Sequence, residues 1–139
     1  METKIAVADM MMIIMPTLAE IKKLPMNVRS SYNLVKSARG MEEALKAFED
    51  TRMNILLASC KKDVNDKPVV IENQYQFDSD DVKDEANAKI KELVDTPVTI
   101  NVWPIAFAEI ESVKGLTTGQ LDILLKYSLV LEPEMEPVK

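Results

Sequence analysis

Apolar positions recur through the middle of this chain at the spacing of an α-helix. From Leu34 onward, Leu34, Ala38, Met41, Leu45, Phe48, Arg52, Ile55 and Ser59 follow at alternating intervals of four and three residues, the period of a helical seam that needs a partner. No proline interrupts Val28 to Cys60. The pattern therefore predicts one helix of about 33 residues, roughly 50 Å long at ~1.5 Å per residue. Gly40 is its weak point, because an interior glycine costs about 1 kcal/mol relative to alanine. A break there would leave two ordinary helices, Val28 to Arg39 and Met41 to Cys60. The seam crosses Gly40 without a change of phase, so continuity is expected.

Upstream, Met11, Ile14, Leu18 and Ile21 share one helical face, with Asp9 as the candidate cap. Pro16 lies inside that stretch and predicts either a kink or a helix start, since proline lacks the backbone donor and crowds the preceding turn. Ile5 to Val7 reads as a short strand or the lead-in to this helix. The chain then turns at Leu24 and Pro25, and the long helix begins near Asn27, so the two helices should pack as neighbours.

Beyond Cys60 the periodicity changes. Asp63 to Pro68 is turn-prone, and Val69 to Glu72 and Tyr75 to Phe77 read as extended, which predicts a small hairpin. Ser79 or Asp80 caps another helix with Val82, Ala86, Ile90 and Leu93 on its apolar face, ended by Thr96 and Pro97. Val98, Ile100 and Val102 alternate with Thr99, Asn101 and Trp103, a strand pattern that Pro104 limits. After a less regular stretch holding Ile105, Phe107 and Ile110, Gly115 marks a turn. Thr117 with Gln120 then forms a capping box ahead of Leu121, Leu124, Leu125 and Ser128. The expected fold class is α+β and mainly helical. A long helix packs with an N-terminal helix, accompanied by a small hairpin and a short strand, in a single domain over residues 1–131 followed by a mobile acidic tail over 132–139.

Composition narrows the chemistry. The chain has 139 residues, 47% of them apolar, enough for one core. It contains no histidine and a single cysteine, Cys60, so neither an internal disulfide nor a cysteine–histidine zinc site can form. Cys60 reads as a small apolar filler near a helix end. Its three glycines match no phosphate-cradling loop. Asp78, Asp80, Asp81 and Asp84 lack the glycine turn and terminal glutamate of a calcium loop. Glu109 and Glu111 are expected in solvent. The expectation is a non-enzymatic protein without cofactor or metal.

The net charge of −6 disfavours general attraction to nucleic acid. One segment departs from that balance: Lys22, Lys23, Arg29, Lys36 and Arg39 occur without an acid between residues 21 and 39, a candidate anion-binding set with Tyr32 as the nearby aromatic. A nucleic-acid role for it is not favoured over a solvated helix face. Met10 to Met15 is too short to cross a bilayer and carries no export signal, so the chain is expected to be soluble and to stay clear of membranes.

Methionine is abundant near the first helix, at Met10, Met11, Met12, Met15 and Met26, and flexible thioethers suit adaptable surfaces. A small hairpin cannot cover this surface and the long seam together. A homo-oligomer is therefore expected, with Met11, Ile14, Leu18, Leu34, Met41, Leu45, Phe48, Arg52 and Ile55 at the interface and Trp103 as a candidate aromatic anchor. Arg52 in the seam should snorkel or pair with an acid such as Glu49.

Several segments carry a resemblance. They are Ile5-Ala-Val-Ala-Asp9, Lys23-Leu-Pro25, Glu43 to Arg52, Gln74 to Phe77, Val98 to Pro104 and Leu116-Thr-Thr-Gly-Gln-Leu121. In their order the chain resembles a family of small uncharacterised proteins of tailed bacteriophages infecting Gram-positive bacteria. That resemblance implies a viral protein working through protein–protein contacts in virion assembly or as a minor structural component. The alternatives are an inhibitor or modulator of a host protein and a nucleic-acid-binding accessory protein. It places the chain in the host cytoplasm, with virion association as a further expectation, and names a phage assembly protein or a host protein as partner. It carries over no catalytic residue. Where other members often have a glycine in the hairpin turn, this chain has Glu72-Asn73-Gln74.

Overall fold

The structure is a computed structural model and describes residues 1–133. In chain order the elements are β1 (Glu2–Ala6), α1 (Val7–Asp9), a π-helical stretch (Met10–Ile14), α2 (Met15–Ile21), α3 (Val28–Ser59), β2 (Val70–Ile71), β3 (Gln74–Tyr75), α4 (Asp80–Asp95), β4 (Pro97–Asn101), α5 (Phe107–Glu111) and α6 (Thr118–Lys126). The class is α+β, with two small two-stranded antiparallel sheets and a long helix that contacts the N-terminal helix and α4. The chain divides into two compact units, Met1–Leu45 with Pro97–Lys139, and Lys46–Thr96. The expected acidic tail falls, from Glu134 on, outside the described residues. Among the described residues no helix is long and apolar enough to cross a membrane.

In the first unit, β1 and β4 pair with Glu2 opposite Asn101 and Ala6 opposite Pro97. Val102 N–H donates to the Met1 carbonyl at 2.7 Å, and the Met1 nitrogen donates to the Val102 carbonyl at 3.1 Å. Hydrogen-bonded and non-bonded pairs alternate in an antiparallel ladder. Thr3 with Ile100 and Ile5 with Val98 are thus the next bonded pairs, and Pro97 sits at a pair that needs no N–H, where proline is tolerated. Ile5, Ile100 and Val102 face the core, while Glu2, Lys4, Thr99 and Asn101 face solvent.

Helix α1 begins at Val7 because the β1 ladder runs through Ala6, which takes the cap position with extended backbone and no side-chain bond. Asp9, the expected cap, lies inside the helix. The π-helical stretch answers the proline: Met15 N–H bonds the Met10 carbonyl five residues back, so the turn widens just before Pro16. Widening relieves the crowding of the proline ring against the preceding turn, and Thr17 Oγ1 donates to the Ile13 carbonyl at 2.7 Å. The wider turn also changes which residues share a face. Val7, Met10, Ile14, Leu18 and Ile21 are buried, whereas Met11 is 46% and Met12 78% exposed. Met10 therefore holds the core position expected of Met11.

Asn27 Oδ1 accepts from Ser30 N–H at 2.8 Å and caps α3. The helix runs unbroken through Gly40 to Ser59, as the constant phase of the seam predicts. Downstream, the stretch that reads as irregular contains α5, and the capping box of Thr117 and Gln120 starts α6 as expected. Ile105 N–H donates to the Leu129 carbonyl and Leu131 N–H to the Ile105 carbonyl, both at 2.9 Å, tying the segment after β4 to the segment after α6. Gly115 adopts φ 90°, and a Cβ there would lie 3.0 Å from Leu24 Cδ2, so both backbone and space call for glycine.

The second unit holds the C-terminal half of α3, the hairpin and α4. Phe48, Leu56, Cys60 and Ala86 are its buried apolar side chains. Ser79 Oγ accepts from Val82 N–H and caps α4, with Asp80 and Asp81 in its first turn where the helix dipole favours them. The β2–β3 hairpin turns on Glu72 and Asn73, both with positive φ (53° and 64°). A two-residue turn of this hand matches the strand twist. Asparagine accepts that conformation readily and glutamate does not.

Candidate functional site

The alternation of the β1–β4 ladder directs the main-chain groups of Thr99, Asn101 and Trp103 away from β1. A row of small and polar residues on α3 receives this edge and the segment that follows. Ser37 Oγ accepts from Trp103 N–H at 2.8 Å, Asn33 Nδ2 donates to the Pro104 carbonyl at 3.2 Å, and Ser30 Oγ donates to Glu109 Oε2 at 3.0 Å. At Gly40 an added Cβ would lie 3.4 Å from the Asn101 carbonyl oxygen. Ser30, Asn33, Ser37 and Gly40 are spaced by three, four and three residues, so one helical face fastens residues 101 to 109. Ser30 and Ser37 are buried, and each buried hydroxyl has its partner. Glu109, expected in solvent, is half-buried as the acceptor of Ser30.

Along this join lies a groove of about 590 Å³, lined by Lys36, Arg39, Gly40, Glu43, Thr99 and Trp103 among others. Lys36 Nζ is 4.5 Å from the centroid of the Trp103 ring and 5.3 Å from that of Tyr32, close enough for both ring faces to attract the ammonium. Arg39 and Glu43 form no ion pair among the described residues. The groove thus combines a free guanidinium, a carboxylate, an amphipathic indole and a strand position, Thr99, whose outward main-chain groups have no ladder partner. Such an arrangement can hold an extended segment carrying a carboxylate and an apolar side chain.

Of the five cations expected to form an anion site, only Lys36 and Arg39 meet here. Lys23 pairs with Glu20 at 3.4 Å on the surface, Arg29 is exposed, and Lys22 lines a separate small pocket with Leu24, Met26 and Leu34. The seam is also redistributed. Ile14, Leu18, Leu34, Met41 and Phe48 are buried in the chain's own fold, which corrects the expectation that they form an open interface. In the first unit Val102, Ile105, Ile110, Leu124, Leu129 and Val130 are buried as well, more apolar surface than the hairpin alone suggested. Leu45, Arg52 and Ile55 are half-buried. Arg52 forms a bidentate pair with Glu49, Nε to Oε2 at 3.0 Å and Nη2 to Oε1 at 2.6 Å. That hydrogen bond lowers the Glu49 pKa and raises that of Arg52.

Trp103 is half-buried, and its place in the groove was legible only as an aromatic at a strand end. The sequence marks Tyr32 as the aromatic of the basic segment but carries no sign of its shared hold on Lys36. Glu43, Thr99 and Asn101 carried no signal in sequence, because a charged helix residue and polar strand residues ordinarily mean solvent. Cys60 is buried, with Sγ 3.7 Å from the Leu57 carbonyl. Among the described residues no group of three or more acids and cysteines is gathered for a metal. Among the described residues the buried Tyr127 hydroxyl has no well-formed hydrogen bond. Burial, reinforced by Asp9, pushes its pKa up from 10.0. Comparison of the chain with protein-family models, curated proteins and solved structures finds no match.

Proposed function

We propose that this protein works by non-covalent binding to another protein, with the α3–β4 groove as its contact site. The observation that carries the reading is the convergence of Arg39, Lys36, Trp103 and the unpaired edge position Thr99 on one groove of about 590 Å³. An aromatic anchor beside a guanidinium is the composition that dominates interface energetics. The partner segment best suited to it is extended and acidic. The resemblance to small tailed-phage proteins supports a setting in virion assembly or in a minor structural role, and a host protein is the rival target.

The test is affinity capture from phage-infected cells with the wild-type chain, with Arg39→Glu and with Trp103→Ala. Recovery of virion or assembly proteins by the wild type, reduced at least ~10-fold by either variant, is the expected result. Recovery of a host enzyme with the same dependence would move the function to host modulation. Binding that both variants retain would remove the groove from the account.

A further inference from the structure

The outer edge of β1 is as informative as the groove. Because Met1, Thr3 and Ile5 spend their main-chain groups on β4, those of Glu2 and Lys4 point to the opposite edge. Among the described residues no third strand adjoins that edge, and Glu2 and Lys4 have no hydrogen bond or ion pair there. An exposed edge of this kind is a template for another strand, and proteins commonly blunt it with charged side chains, lysine above all, or with proline. Here the two exposed side chains are a glutamate and a lysine two residues apart on one face.

We propose that β1 pairs antiparallel with β1 of a second copy of this chain, about a two-fold axis through Thr3. In that register Glu2 lies opposite Lys4 of the other copy and Lys4 opposite its Glu2, so the charges match at both ends of the pairing. The groups that point outward are the ones this register joins, giving four main-chain hydrogen bonds. Thr3 meets its own copy at the close, non-hydrogen-bonded position, where threonine pairs are favourable. The result is a continuous four-stranded sheet, in the order β4, β1, β1, β4, with both core faces on the same side. A one-residue slip would place glutamate against threonine and turn the faces over, so the charge pattern selects this register. The inference uses a different surface from the groove, and either can fail without the other.

Charge reversal tests it. Glu2→Lys and Lys4→Glu each put like charges opposite one another in the homodimer, and both positions are solvent-exposed. Sedimentation equilibrium should show wild-type dimers, and each single variant should dimerise at least ~10-fold more weakly. An equimolar mixture of the two should recover the dimer as a heterodimer, since one strand is then all basic and its mate all acidic at these positions. Lys4→Pro removes an outward N–H without touching the β1–β4 bonds and should also abolish pairing. Thermal melts of the dilute variants confirm that they fold. A wild type that stays monomeric up to on the order of 1 mM, variants that dimerise as the wild type does, or a mixture that fails to recover would each overturn the proposal.

Discussion

Among the described residues the Tyr127 hydroxyl, at the C-terminus of α6, is buried without a well-formed hydrogen bond, and only the electrostatic influence of Asp9 and Lys126 acts on it, which makes it a cost to the fold. Tyr127→Phe should leave stability unchanged or raise it by about 1 kcal/mol, because an unsatisfied buried polar group is removed while the ring stays. Urea denaturation at neutral pH measures this. The sign of the pH effect follows from the raised pKa. The folded protein favours the neutral phenol, so that contribution is complete below the ordinary value of 10.0 and is lost as pH rises through the higher folded value. The wild type should lose stability in strong alkali faster than Tyr127→Phe. Glu49 has the opposite sign. The Arg52 hydrogen bond lowers its pKa, so its contribution is present above the ordinary value of 4.5 and fades as pH falls through the lowered one. Glu49 is exposed, and solvent screening keeps that effect small.

Among the elements, α3 and the β2–β3 hairpin make the clearest predictions. At Gly40 a methyl group would just reach contact with the Asn101 carbonyl, and alanine favours the helix by about 1 kcal/mol. Gly40→Ala should therefore stay within ~1 kcal/mol of the wild type. In the hairpin, Glu72→Asn together with Asn73→Gly supplies the pair that this turn prefers. Protection of the Val69 and Gln76 amides from hydrogen exchange, both of which donate within the excursion, should increase.

The same elements show how far the sequence could be read. The length of α3, the capping box of Thr117 and Gln120 and the alternation of β4 follow from local pattern, and all were legible. The N-terminal helix was legible in part: Ile14, Leu18 and Ile21 are buried as expected, but Pro16 widens the turn before it and exchanges Met11 for Met10 at the core. The fastening of α3 to residues 101 to 109 was not legible. Ser30 and Ser37 look like solvent positions until partners 79 and 66 residues away are brought to them. The groove has the same origin: Lys36, Arg39 and Trp103 were visible singly, but their convergence depends on the edge of β4 lying along the helix.

At the scale of the whole chain, the apolar pattern that suggested an open seam is largely consumed by the fold. The proposed binding therefore falls on surfaces that combine charge with unpaired backbone, the groove and the outer edge of β1. A photo-reactive amino acid in place of Arg39, in protein expressed during phage infection, probes the groove directly, with the same group in place of Asp122 on the exposed face of α6 as the control. A discrete cross-link to one protein from position 39, absent from position 122 and suppressed by Trp103→Ala, is the predicted result. Equal labelling from both positions, or none from position 39, would contradict it.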